Sequence, residues 1–247
     1  MNVIAGPDAR DRHSIPAADF DYLAATRDQI RGLGIAYSED WGYAAVDSEV
    51  RRVVSEAVGV FATDLGCHVE RAHPGWGPEI FAGFWGLVVG DTDLSGMRRL
   101  MAAHQHRMSP HLVELLNQAW TAEALTDAKM LRQQVCNHMW RFMANYDLLL
   151  TPTLATPPFA IGPQGPATLE GRAAQPFEWL PFTFPMNMTG QPAASIPAGF
   201  TRAGLPIGLQ VVGRHLDDRK VLAACAAFER ARPWAARWPA LLDQLAL

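Results

Sequence analysis

The 247-residue sequence is poor in several residues on which common enzyme chemistries depend. Its 21 basic residues include two lysines, Lys129 and Lys220, and it has seven serines and no two adjacent glycines. It also contains no G-x-S-x-G nucleophile elbow, no phosphate-binding loop and no G-x-G-x-x-G fingerprint. These absences exclude the hydrolases and nucleotide-binding proteins that such motifs define.

Cysteine, net charge and long apolar runs are scarce as well. Cys67, Cys136 and Cys225 are an odd number at wide spacings, which excludes a dense disulfide framework and predicts a reducing compartment, here the cytoplasm. A net charge of −4 is too small to indicate a nucleic-acid-binding surface. No apolar run reaches the roughly 18 residues of a membrane span, and the N-terminus does not resemble a signal peptide. We expect neither nucleic-acid nor membrane partners.

The pattern of apolar residues predicts alternating strands and helices. Asp47 is a good N-cap, and the apolar stripe that follows it predicts a helix that Gly66 closes. Short strands are predicted on either side, at 34–38 and 67–70. A strand–helix–strand order of this kind is typical of an α/β protein.

The rest of the chain continues the same alternation. The further predicted elements are two helices within 110–145, a buried strand at 148–150, a proline-rich loop over 152–181, strands at 194–196 and 208–212, and a last helix from near Asp217 to before Pro233. The second helix within 110–145 is predicted to begin near Thr126 or Asp127. The fold class predicted is therefore an α/β sandwich.

No cluster of reactive residues adds up to a catalytic centre. His104, His106 and His111 crowd one segment, but positions two apart on a helix do not share a face, and a tetrahedral metal site needs four convergent ligands. Ser195 lies in an extended segment without a lysine or histidine nearby, which favours a strand residue over a nucleophile. We expect no metal and no cofactor.

Four segments carry a resemblance to a known family. Residues 184–200 (FPMNMTGQPAASIPAGF) and 204–214 (GLPIGLQVVGR) closely resemble the C-terminal part of the amidase signature family. Residues 146–153 (YDLLLTPT) and 6–11 (GPDARD) match further family segments, and all four occur in family order. The resemblance implies that 1–247 is a partial amidase signature domain, its C-terminal half. It implies part of an α/β/α sandwich, a mixed sheet flanked by helices, with the N-terminal catalytic half missing.

The same resemblance implies chemistry that this sequence does not carry. The family hydrolyses carboxamide C–N bonds with a serine nucleophile, a second serine on a cis peptide, and a lysine, all in the half that precedes residue 6. Lys129 and Lys220 match later helices and not the family's base. We therefore expect a truncated chain, not competent alone, from a shortened or mis-started reading frame, or one half of a split amidase.

A second hypothesis belongs to another class of function. The chain would then be a non-catalytic binding or assembly protein, docking to a partner chain or a second copy through the sheet that the missing half normally covers.

The resemblance also suggests residues that would contact a small amide substrate. These are Trp179, Phe182, Thr183, Met186 and Asn187, in and before the family's F-T-x-P-x-N segment. Glutamine-using transfer-RNA amidotransferase subunits usually have an aspartate just before that segment, and this chain does not. Trp179 and Phe182 instead favour an apolar or aryl acyl group. Their alternative interpretation is that of loop anchors in the core.

Overall fold

The computed structural model of the chain describes residues 1–16 and 20–237. Its elements follow in chain order: α1 (Tyr22–Ala25), β1 (Gly34–Tyr37), α2 (Ser48–Thr63), β2 (His68–Arg71), α3 (Ile80–Gly90), α4 (Leu94–His104), a 3₁₀ turn (Gln105–Arg107), α5 (Pro110–Asn117), α6 (Ala122–Met143), β3 (Leu148–Pro152), β4 (Thr168–Leu169), β5 (Arg172–Ala173), α7 (Phe184–Thr189), β6 (Ala193–Phe200), β7 (Pro206–Gly213), α8 (Asp218–Ala231) and a second 3₁₀ turn (Ala235–Arg237). The predicted α/β class is confirmed. The predicted domain, 1–247, extends beyond the described residues at 238–247.

A mixed five-stranded sheet in the order β2-β1-β3-β7-β6 forms the centre of the fold. β1 pairs in parallel with β2 and β3, whereas β7 pairs antiparallel with β3 and β6. All five residues of β3 are buried, as expected for a central strand covered on both faces. Helices α2 and α8 pack on the sheet, and α3, α6 and α7 pack on one another. The predicted mixed sheet flanked by helices is thus confirmed.

Helix α2 forms for the reasons that its sequence predicts. The Asp47 carboxylate accepts hydrogen bonds from the backbone N–H groups of Glu49, at 2.8 Å, and Val50. The apolar stripe faces inward, and Phe61 stacks on Phe228 of α8 with 5.4 Å between ring centroids. Full burial of one such side chain contributes about 1.5–3 kcal/mol. Local capping and an apolar face therefore act together at this helix.

Helix α6 begins earlier than predicted. Thr121, rather than Thr126 or Asp127, is the N-cap, and its hydroxyl accepts a hydrogen bond from the Ala124 N–H at 3.1 Å. The hydroxyl of Thr126 donates to Ala122 O inside the helix. The first turn is exposed and so adds nothing to the apolar stripe, which is why periodicity alone places the start too late.

The loop predicted over 152–181 is interrupted by a small hairpin. β4 and β5 pair antiparallel around Glu170 and Gly171, which both have positive φ, as a two-residue hairpin turn requires. Strands of two residues are too short to show an alternating pattern. Within the described residues, no helix combines the length and apolar character that a membrane crossing needs.

Candidate functional site

A cavity of about 290 Å³ lies where the three parallel strands end. The segments that follow β1 and β2 contribute to its wall, and so does the stretch between β5 and α7. Gln210 holds this stretch near the end of β3 by donating to both Phe182 O and the Thr151 hydroxyl. Its lining residues are Tyr43, Ala44, Ala45, Pro78, Phe81, Gln175, Pro176, Phe177, Glu178, Pro181 and Phe184. Ligands of open α/β sheets bind outside the carboxyl ends of the strands, so this position favours a binding site. We call it the aromatic cavity.

Aromatic rings form much of the cavity wall. Phe81 of α3 packs against Phe184 of α7 at 5.2 Å between centroids and against Phe177 at 6.1 Å. Trp85, one turn after Phe81, contacts Phe177 at 5.2 Å. Tilted and edge-on ring pairs of this kind are stabilising and leave ring faces for a planar apolar ligand.

The polar groups of the wall carry little free charge. Burial raises the pKa of the Tyr43 hydroxyl, and the nearby Glu79 carboxylate raises it further, so Tyr43 stays a hydrogen-bond donor. Arg172 donates to both carboxylate oxygens of Glu178 and thereby lowers the pKa of that group. The carboxylate is therefore paired, and the cavity suits a neutral ligand.

The five residues predicted to bind substrate differ in burial and in their contacts. Phe182 is fully buried beside Trp41, at 5.5 Å between centroids, so the core interpretation describes it. Trp179 is half-buried and its indole N–H donates to Gln164 O at 3.0 Å. Met186 is buried, Thr183 is half-buried and Asn187 is exposed.

None of these five is among the described lining residues, although Pro181 and Phe184 beside them are. Their role in substrate binding stays a prediction. The sequence did not predict Phe81, Phe177 and Tyr43, because one helix and two loops that are distant along the chain bring them together.

Ser195 and Lys220 each bond to another side chain of the fold, and Lys129 lies on the surface. The Ser195 hydroxyl lies 2.7 Å from the Thr153 hydroxyl, across Gly208 of β7, where a Cβ would come within 2.8 Å of either oxygen. Ser195 is thus a strand residue, as predicted. Lys220 donates to Asp147 at 2.9 Å, and Lys129 is exposed on α6. Among the residues described, no group of three or more His, Cys, Asp or Glu could hold a metal ion.

Known proteins resemble this chain over nearly all its length. The family described as Amidase matches residues 1–222. An acylamidase of Rhodococcus erythropolis is 36% identical over 253 residues, which cover 97% of this chain and 51% of that protein. A glutamyl-tRNA(Gln) amidotransferase subunit of Pseudothermotoga lettingae is 30% identical over 263 residues, covering 95% and 54%. The predicted greater likeness to amidases than to the transfer-RNA amidotransferase is confirmed.

Solved structures share the fold. A bacterial aryl acylamidase of the amidase signature family has a TM-score of 0.83 at 30% identity, over 94% of this chain and 50% of that one. A 6-aminohexanoate cyclic dimer hydrolase has a TM-score of 0.77 at 26% identity, over 96% and 53%. The chain spans about half the length of the relatives it matches. Its sequence and its fold together show that this chain belongs to the amidase signature family.

Proposed function

We propose that residues 1–247 form the acyl-binding part of an amidase that hydrolyses small carboxamides with an apolar or aryl acyl group. The observation that carries this proposal is the aromatic cavity at the carboxyl ends of the parallel strands. The names of two relatives, an acylamidase and an aryl acylamidase, support acyl amides that carry an aromatic ring as the substrate class. The cavity binds the acyl side by burying it against Phe81, Phe177 and Phe184. The serine hydroxyl adds to the carbonyl carbon, the amine leaves with the hydroxyl proton, and water then hydrolyses the acyl ester to the acid and free serine.

The reacting serine and lysine of this amidase come from polypeptide outside residues 1–247. The Ser195 hydroxyl hydrogen-bonds to the Thr153 hydroxyl, and the Lys220 ammonium donates to Asp147. These bonds support a structural role for both residues. In this proposal the residues described bind and orient the substrate, and the other half of the domain supplies the nucleophile and its base. Residues 1–247 alone then bind amides without hydrolysing them.

The surface that meets the other half includes the outer edge of β6 and an apolar patch near the start. β6 is the last strand of the sheet, and among the described residues no strand pairs with its outer side. Asn2 bonds to the Asp21 side chain at 2.7 Å and so holds Val3 and Ile4 beside α1. Unpaired strand edges and exposed apolar patches are typical of surfaces that bind a partner.

We call Val3, Ile4 and Leu23 of α1 the N-terminal patch; their exposed fractions are 95%, 82% and 65%. The occupant that we propose for the edge and the patch is the remaining half of the family domain, in the same or another polypeptide. The three cysteines are free, which supports the cytoplasm as the compartment.

Complementation tests the proposed function. The chain is purified alone and together with the half of the Rhodococcus erythropolis acylamidase that it does not span. Release of 4-nitroaniline from N-(4-nitrophenyl)benzamide, whose acyl group is benzoyl, is then measured. We expect no turnover by either half and measurable turnover by the mixture. Ala45→Phe, which fills the aromatic cavity, should abolish turnover, whereas Ala103→Phe on exposed α4 should not.

Two results would contradict the proposal. Turnover by the purified chain alone, abolished by a mutation within it, would show that it carries its own catalytic groups. A stable complex of the two halves without turnover or amide binding would favour the non-catalytic assembly chain.

A further inference from the structure

Unusual backbone conformations concentrate beside the aromatic cavity. Four non-glycine residues among those described have positive φ: Trp41 at 57°, Glu170 at 50°, Phe177 at 61° and Leu216 at 63°. Phe177 lines the cavity, and the Trp41 indole bonds to Pro181 of the lining. Bulky residues rarely adopt this left-handed region, and they stay there only where the surroundings hold them. We call residues 38–47 the Trp41 loop and residues 168–173 the Glu170 hairpin.

One side chain touches both of these segments. Arg51, in the first turn of α2, donates from Nη1 to Glu39 and Asp40 of the Trp41 loop, each at 3.1 Å. Its Nη2 donates to Glu170 at 3.0 Å, and its Nε donates to Val46 O at 3.1 Å. A planar guanidinium can make these bonds in one fixed geometry, whereas a lysine ammonium cannot.

The contact with Asp40 connects Arg51 to the cavity lining through Trp41 and Pro181. Asp40 precedes Trp41, whose indole N–H donates to Pro181 O at 2.9 Å, and Pro181 lines the cavity. The same loop continues to Tyr43, another lining residue. Asp40 has no other ion-pair partner among the residues that the structure describes.

The contact with Glu170 connects Arg51 to another part of the lining, Glu178. Glu170 lies in the turn of the hairpin, and Arg172 two residues later holds Glu178 of the cavity lining through two hydrogen bonds. Within the described ranges, Arg51 is the ion-pair partner recorded for Glu170. Loss of Arg51 therefore removes an ion pair from both segments at once, although Glu39 of the Trp41 loop also pairs with Arg71 at 2.9 Å.

We propose that Arg51 is a positioning residue that fixes the separation of the Trp41 loop and the Glu170 hairpin and thereby sets the size of the acyl group that the cavity accepts. This inference rests on the function proposed above for the cavity. Arg51 touches no lining position through its side chain and acts through the two segments it joins. Its neighbour Arg52 bonds to Glu56 of the same helix at 3.0 Å and provides a matched control.

Binding of two fluorinated probes to the full chain tests the inference. Fluorine NMR titrations with 4-fluoroacetanilide and the larger N-(4-fluorophenyl)benzamide give the affinity for each acyl size. Arg51→Gln and Arg51→Lys should each change the ratio of the two affinities by about tenfold, as expected when a preorganised site loosens. Arg52→Gln should leave the ratio within about twofold, because it touches neither segment. Combined with Arg51→Gln, Glu170→Gln should add little, since the two side chains share one interaction.

A second measurement separates this inference from the proposed function. In chain labelled with 5-fluorotryptophan, the Trp41 resonance, assigned with Trp41→Phe, should shift or broaden in Arg51→Gln and stay unchanged in Arg52→Gln. Wild-type chain that binds neither probe would contradict the function of the cavity, and the Trp41 resonance would still decide the role of Arg51. A folded Arg51→Gln with unchanged selectivity and unchanged Trp41 resonance would overturn the inference. Should Arg51→Gln not fold, the same null result in Glu170→Gln overturns it.

Discussion

The two sides of this chain differ in how completely they bury their apolar residues. Around α2 and α8, Phe61 and Phe228 are fully buried and stacked, and the neighbouring strand β3 has no exposed residue. In the N-terminal patch, Val3, Ile4 and Leu23 are largely exposed. The first region completes its core from its own residues, whereas the second leaves apolar surface exposed. We therefore expect stability to depend on the first region and the assembly proposed above to depend on the second.

The largest expected effect contrasts the two sides directly. Phe61→Ala should lower the free energy of unfolding by about 3–5 kcal/mol, because it removes a stacked ring and leaves a cavity. Leu23→Ala in the N-terminal patch should change it by less than about 0.5 kcal/mol. Urea unfolding followed by circular dichroism measures both. Equal losses at the two positions would contradict the contrast.

The buried side also depends on charge, which pH can test. Burial alone would raise the pKa of Asp147, but hydrogen bonds from Lys220 and the Gly34 N–H, with the nearby Arg214, outweigh it and keep that pKa below its usual value. A lowered folded-state pKa stabilises the fold above the unfolded-state pKa of about 4, and this contribution is lost as pH falls through the folded-state pKa.

Asp147→Asn should therefore cost about 2 kcal/mol of unfolding free energy at pH 7 and less at pH 3, which lies below the unfolded-state pKa. Urea unfolding of the wild type and the variant at the two pH values gives the difference. A penalty that is the same at both would show that the carboxylate charge does not matter.

Substitutions in the N-terminal patch should weaken binding of the complementing half and leave the stability of the fold unchanged. Val3→Asp with Ile4→Asp should leave the unfolding free energy within about 0.5 kcal/mol but weaken binding of the complementing half by about tenfold, or about 1.4 kcal/mol. Isothermal titration calorimetry measures the binding. Leu100→Asp, on α4, is the control at an exposed apolar residue outside the patch. If both variants bind equally well, the patch is not part of the interface.

The smallest effect concerns where α6 begins. Thr121→Ala should lower the unfolding free energy by about 1 kcal/mol, because Thr121 caps the first turn. Thr126→Ala should cost less, because its hydroxyl bonds within the helix and alanine is the better helix former. A larger loss at Thr126 would favour the later start that periodicity predicts.

Local chemistry made part of this fold predictable. Helix α2 could be predicted because a capping aspartate and an apolar stripe are both encoded within one short segment. The hairpin at 168–173 and the six-residue α7 were missed, because neither is long enough to show a period. The predicted substrate residues stay a prediction. Burial of Phe182 depends on its packing against the distant Trp41, and exposure of Asn187 depends on which side of α7 faces the core.

The sequence by itself determined the family, the alternation of strands and helices, and the position of α2, since each is written in ordered motifs or local periodicity. Only the tertiary structure decided the aromatic cavity, because its walls come from loops and helices far apart along the chain. It also decided the left-handed backbone at Trp41 and Glu170, which no local preference of those residues predicts, and the single arginine that joins them. Both depend on contacts between distant segments, which exist only once the chain has folded.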